Sequence, residues 1–204
     1  MSKSERSANR SGSLFYWYFP ARVNPSTAPL VFWLQGGPGC GSEIAVFKEH
    51  GPYRLDPLNQ GNPARNKWSW NTIANMVYVD QPVGTGWSTA PKSRKKKQAR
   101  YNKTEEEVAK NFYIFLEGFL EKFPDLQGRD LYVAGESYAG HFLPNIAAQL
   151  NIKGNKSMNL KGLIIGNGML NPWLQYYSVF NYSKHHNLFQ GLSTSKPTPP
   201  KNFP

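Results

Sequence analysis

The sequence predicts an α/β fold, with a mostly parallel sheet covered by helices. Three observations carry this. From Asn75 to Gly168 the patterning alternates strand, helix, strand, helix, strand, the order of a parallel sheet with crossover helices. A small-residue turn, VAGESYAG at Val133–Gly140, stands between one of those strands and the next helix. A glycine loop, QGGPGCGS at Gln35–Ser42, closes an earlier apolar run.

Composition narrows the class. The 204 residues suit one domain and can bury a substantial core. Aromatics at 14% and hydrophobics at 39% exclude a disordered chain. No stretch approaches the roughly 18 apolar residues of a membrane span. The net charge of +11 is unevenly placed: Lys92–Lys103 holds seven cations and no acid, and from Ser137 onward there are six lysines and no Asp or Glu. The opening MSKSERSANRSG is polar, so no secretion signal is visible. Sequons at Asn102, Asn155 and Asn181 hint at secretory ancestry. The single cysteine, Cys40, cannot form an internal disulfide.

Taken in order, Leu14–Phe19 and Ala28–Leu34 are β-rich runs separated by the turn formers Asn24, Pro25 and Ser26, and predict an antiparallel pair. After the Gln35–Ser42 loop a short helix is expected around Ile44–Glu49, stopped by His50, Gly51 and Pro52. Asn75–Val79 is a third buried strand, running into Asp80 and a second glycine loop, Val83–Ser88. The basic run Lys92–Lys103 reads as a solvated loop; sitting between two well-patterned elements, it is a poor nucleic-acid patch. Thr104–Lys122 is a helix: Thr104 and Glu107 form a capping box, and Val108, Phe112, Phe115, Leu116, Phe119, Leu120 and Phe123 make one apolar stripe. Pro124 ends it. The strand at Asp130–Val133 leads into the turn, and Phe142–Leu150 opens the following helix. Leu160–Gly166 is expected beside that strand, at an open sheet edge, and Pro172–Phe189 as a helix.

The turn fits a nucleophile elbow. Ser137 lies between strand and helix, Gly135 two residues before it and Ala139 two after, so the sharp turn has room and the hydroxyl is pushed clear of the sheet. A strand-to-helix turn with a capping serine is the plainer alternative. An elbow on a parallel sheet points to the α/β-hydrolase architecture. Acyl transfer needs a nucleophile, a base, an acid orienting that base, and donors for the oxyanion. Ser137 is the candidate nucleophile. The Tyr138 amide is the first expected donor, and Gly37 in the glycine loop is the natural second, with a simple Gly-Pro turn as its alternative.

At this point the chain resembles the serine carboxypeptidases. WLQGGPGCGSE, KEHGP, VYVDQPVGTGWS, VAGESYAGHFLP and LIIGNGMLNP stand in that family's order, over residues 14–190. The resemblance implies a peptidase of α/β-hydrolase fold that removes residues from peptide and protein C-termini, with no metal or cofactor, and no nucleic-acid partner. It implies Ser137 as nucleophile, Gly37 and Tyr138 as oxyanion hole, and Gln35, Glu49 and Glu136 as the cluster that receives the substrate carboxylate. An amide such as Gln35 can donate to that carboxylate, and so can two carboxyls sharing a proton, which favours acidic pH. Glutamine at position 35 replaces the family's commoner asparagine. Trp33 and Tyr138 are candidates to line the cleft, with the core as the alternative for Trp33. The family implies a secretory, lysosomal, vacuolar or extracellular setting. Domain bounds are expected as a disordered N-terminal tail at 1–13, a partial α/β-hydrolase domain at 14–192 and a Pro-rich tail at 193–204.

Two family features are absent. The triad acid and histidine should follow the serine, yet no Asp or Glu does; His141, His185 and His186 follow it, and Asp80 would serve only out of chain order. The family cysteine at position 40 pairs with a downstream cysteine, and this chain has one cysteine. The economical expectation is a member lacking its C-terminal portion and its N-terminal one, and inactive as it stands. An acyltransferase on the same fold and a non-catalytic binding protein are the competing readings.

Overall fold

The structure is a computed structural model that describes residues 12–55, 60–91 and 99–189. The 1–11 part of the N-terminal tail, Lys92–Gln98 of the basic run and the Pro-rich tail lie outside those residues. The chain divides into two compact units, Met1–Leu170 and Asn171–Pro204.

The first unit is built on a five-stranded sheet. Its strands are β1 (Tyr16–Phe19), β2 (Leu30–Leu34), β5 (Asn75–Val79), β6 (Asp130–Glu136) and β7 (Asn159–Gly166), in the order β1-β5-β2-β6-β7. The pairs β5–β2, β2–β6 and β6–β7 are parallel, and β1 runs antiparallel to β5. Two short strands, β3 (Tyr53–Leu55) and β4 (Pro63–Arg65), form a separate hairpin. The expected pairing of the first two runs is therefore corrected: β5 lies between β1 and β2. Every residue of β2 is buried, so it needs partners along both edges, as inner strands of parallel sheets do. Asn75 makes the interleaving possible. Its buried carboxamide accepts from the Ala21 amide at 3.1 Å and donates to Pro25 O at 2.9 Å and Ala28 O at 3.1 Å. The turn formers thus wrap around the start of β5 instead of closing a hairpin. As expected, β7 pairs with the elbow strand and is the terminal strand of the sheet.

Two helices cover one face. Helix α2 (Glu105–Lys122) is capped by Thr104, whose Oγ1 accepts from the Glu107 amide at 3.3 Å. The expected apolar stripe packs inward: Phe32 of β2 meets Phe112, Phe115 and Phe119 edge-on at centroid distances of 5.8, 6.1 and 5.2 Å. Such ring pairs add about 0.5–1.5 kcal/mol each beyond area burial. Helix α3 (Ala139–Lys153) buries Phe142, Leu143 and Ile146 on the same face. The opposite face carries Trp33, Met76 and Tyr78, covered by the short helix α1 (Glu43–Lys48) and the following loop. Near β7 that face is open: Val31, Tyr132 and Ile164 floor a hollow walled by Trp68, Trp70 and Ile73. In the second unit α4 (Pro172–His185) is capped by Asn171, whose Oδ1 accepts from the Leu174 amide at 3.2 Å, and none of its residues is buried.

Candidate active site

The site is assembled where β2, β5 and β6 end. At the end of β6, Ser137 has φ 59, a left-handed conformation that only five non-glycine residues adopt among those described. Such strain costs on the order of 1–3 kcal/mol. Three backbone hydrogen bonds offset it. The Ser137 amide donates to Gly166 O at 3.0 Å, and its carbonyl accepts from Gly140 at 3.0 Å and Met169 at 2.8 Å. The end of β7 and its following loop therefore clamp the turn. Crowding explains the small neighbours: a Cβ at Gly135 would lie 2.6 Å from the Ala139 Cβ and 2.5 Å from Leu34 O. The sharp turn, the left-handed serine and the helix start at Ala139 are the geometry of the expected elbow.

The loop after β2 lies against this turn. A Cβ on Gly36 would sit 2.8 Å from the Tyr138 amide nitrogen and 2.9 Å from the Ser137 Cβ. Glycine is thus required for the two backbones to touch. Gly37 follows at φ +111, exposed to solvent. Neither the Gly37 nor the Tyr138 amide donates to an acceptor among the described residues. Ser42 anchors the far end of the loop, its Oγ donating to Val79 O at 2.7 Å and accepting from the Gln35 amide at 3.2 Å.

Gln35, Glu49 and Glu136 meet although they come from three segments. Gln35 Nε2 donates to Glu49 Oε1 at 3.2 Å and to Glu136 Oε2 at 3.1 Å. The indole of Trp33 donates to Gln35 Oε1 at 2.9 Å, which orients the amide. A carboxamide has two N–H donors, and here both are directed at the glutamates, so Gln35 bridges the two carboxyls. Burial raises the Glu49 carboxyl above the usual range; the Gln35 hydrogen bond opposes this and the Glu136 charge adds to it.

Other candidates are redistributed. Trp33 is 5% exposed and belongs to the core, its ring edge-on to His50 at 4.2 Å and to Trp70 at 5.5 Å. The Tyr138 hydroxyl donates to Glu105 Oε1 at 2.9 Å, so its ring is tied to α2 and does not hang free in the cleft. His141 packs on the Tyr138 ring at 4.8 Å. His50 stacks on Trp70 at 4.1 Å with Nδ1 3.2 Å from the Tyr78 hydroxyl; burial lowers its pKa to about 4. No carboxylate pairs with either ring among the described residues. Asp80 receives the amides of Ser42 and Trp87, a linking role that the sequence reading missed. The adjacency of DQP to the second glycine loop was the available signal. Cys40 is a half-buried free thiol. Among the described residues no cluster of three or more His, Cys, Asp or Glu could hold a metal, and no helix is long and apolar enough to cross a membrane.

The chain is similar to several known proteins. The chain is 43% identical over 194 residues to serine carboxypeptidase-like 49 of Arabidopsis thaliana, covering 92% of this chain and 35% of that protein. It is 42% identical over 180 residues to serine carboxypeptidase S10 family member 1 of Dictyostelium discoideum, covering 87% of this chain and 42% of that protein. The solved structure of Kex1(delta)p, a prohormone-processing carboxypeptidase from Saccharomyces cerevisiae, superposes with a TM-score of 0.78 at 30% identity, over 97% of this chain and 41% of that one. The chain thus spans well under half the length of these relatives, and its mostly parallel sheet with covering helices is an α/β-hydrolase fold. Residues 5–197 match the family model for serine carboxypeptidase, and the chain belongs to that family.

Proposed function

We propose that this chain carries the nucleophile portion of a serine-type carboxypeptidase acting on peptide and protein C-termini. The observation that supports this most is the approach of Gly36 to the Ser137–Tyr138 turn, which brings the Gly37 loop beside the elbow. In this reading Ser137 Oγ attacks the last peptide carbonyl. The amides of Gly37 and Tyr138 donate to the oxyanion, a contribution of about 3–4 kcal/mol per donor in comparable sites. The bond to the terminal residue breaks, that residue leaves as a free amino acid, and the remaining peptide is esterified to Ser137 until water hydrolyses it. Glu49 and Glu136, bridged by Gln35, receive the terminal carboxylate through a shared proton. The acting residues lie within a partial domain at 14–192. A secretory-pathway setting suits the three sequons.

The serine's proton needs a base. The resemblance assigns the base and its orienting acid to residues after Ser137, and the sequence has no Asp or Glu there. A fluorophosphonate probe tests the reading. The 204-residue chain is expected to label slowly at Ser137, with labelling abolished in Ser137→Ala. Labelling that persists in the alanine variant would remove Ser137 as the nucleophile; fast stoichiometric labelling would show that the chain supplies a base of its own.

A further inference from the structure

Two carboxyl groups outside the glutamate cluster meet between the two glycine loops. Asp80, just after β5, is 1% exposed. Its Oδ1 accepts from the Ser42 amide of the first loop at 2.7 Å, and its Oδ2 from the Trp87 amide of the second at 2.9 Å. Glu43, the first residue of α1, brings its carboxyl to the same point. A Cβ on Gly41 would run into Glu43 Oε2 and lie 3.3 Å from Asp80 Oδ1, and one on Gly86 would run into Asp80 Oδ2. Glu43 Oε1 is buried with no hydrogen-bond partner among the described residues. Two like charges in so confined a space are strongly disfavoured, whereas a carboxyl–carboxylate pair holding one proton is not. Both Asp80 oxygens already accept backbone N–H bonds, so the proton belongs on Glu43.

We propose that Glu43 is a positioning residue: its protonated carboxyl donates to Asp80, and Asp80 in turn holds the Gly36–Ser42 loop, with the Gly37 amide, to the Val83–Ser88 loop. The role rests on the reading of that amide as an oxyanion donor. Burial first, and then the Asp80 hydrogen bond, push the Glu43 carboxyl up to about 7; its own backbone N–H pulls the other way. Among the described residues Asp80, just after β5, is the charged side chain acting on it, and Lys48 on its own helix is exposed. Ionisation of Glu43 would set two charges against each other and loosen the Ser42 and Trp87 amides. The glycine loops are therefore held at acidic pH and released as pH rises through neutrality.

Amide hydrogen exchange on the 204-residue chain, corrected for the intrinsic pH dependence, tests this. Protection at Ser42 and Trp87 is expected to fall about tenfold between about pH 6 and about pH 8. In Glu43→Gln, whose amide donates at every pH, protection should be flat. A flat wild-type profile, or a step that persists in Glu43→Gln, overturns the proposal. Should that variant not fold, a carboxyl carbon titration of Glu43 in the wild type decides. A midpoint near neutrality matched by the Ser42 and Trp87 amide shifts supports the role, and a midpoint in the ordinary glutamate range overturns it. No substrate takes part, so a negative result here leaves the assignment of Ser137 standing.

Discussion

The hydroxyl of Tyr138 donates to Glu105 Oε1 over 2.9 Å, joining the residue after the candidate nucleophile to the first turn of α2. Burial and this bond raise the phenol above its usual pKa, so it remains a donor throughout the working range. The other Glu105 oxygen is buried and unpartnered among the described residues. Removing the hydroxyl leaves the carboxylate short of a donor, at a cost of about 1–3 kcal/mol. Tyr138→Phe should therefore lower the urea midpoint by a measurable amount, with Glu105→Gln recovering part of the loss. An unchanged midpoint would mean that the bond contributes nothing to the elbow.

Gly36→Ala places a methyl carbon 2.7 Å from Glu136 O and 2.8 Å from the Tyr138 amide nitrogen. Backbone on both sides has little freedom to retreat. Overpacking of this kind costs about 1–3 kcal/mol, and the loop must move off the elbow. Reduced stability together with slower probe labelling at Ser137 is the expected result. Wild-type labelling in the alanine variant would detach the glycine loop from the site.

Glu49 gives the glutamate cluster a pH dependence. Its carboxyl is raised by burial, the Gln35 bond opposing and the Glu136 charge adding. A raised carboxyl favours the protonated form, so its contribution is present below the ordinary glutamate pKa and lost as pH rises through the raised value. Calorimetric binding of a peptide acid to the chain should weaken over that window, and the corresponding peptide amide should show less of the loss. Identical profiles for acid and amide would remove the cluster from carboxylate recognition.

His50 and Glu43 impose opposite slopes on stability. His50 is lowered from 6.5 to about 4 by burial, so its contribution is present above 6.5 and lost as pH falls through 4. Glu43 is raised from 4.5 to about 7, so its contribution is present below 4.5 and lost as pH rises through 7. Between them the two largely cancel in mildly acidic solution. Urea midpoints across pH should thus rise with pH in Glu43→Gln and fall with pH in His50→Gln. Parallel profiles in the two variants would show that these groups do not set the pH dependence.

Local chemistry alone settled most of the elements, the β3–β4 hairpin excepted. The stripe of α2, its Thr104 cap, the elbow around Ser137 and the strand at Leu160–Gly166 depend on spacing within a few residues, and they formed as expected. The resemblance brought Gln35, Glu49 and Glu136 into one group, and the fold does unite them. Order among strands is not a local property. That β5 separates β1 from β2 follows from Asn75 gathering the chain around its carboxamide, which no periodicity reveals. The direction of a side chain is likewise decided by its neighbours. Trp33 turned inward because β2 is buried on both faces, Tyr138 was drawn to Glu105, and Gln35 spent both its donors on the two glutamates. Asp80 became a link between loops because two backbone amides, 45 residues apart at positions 42 and 87, converge on one carboxylate. Sequence spacing carries torsional preference and burial pattern, whereas pairing between distant polar groups exists only once the sheet has set their distances.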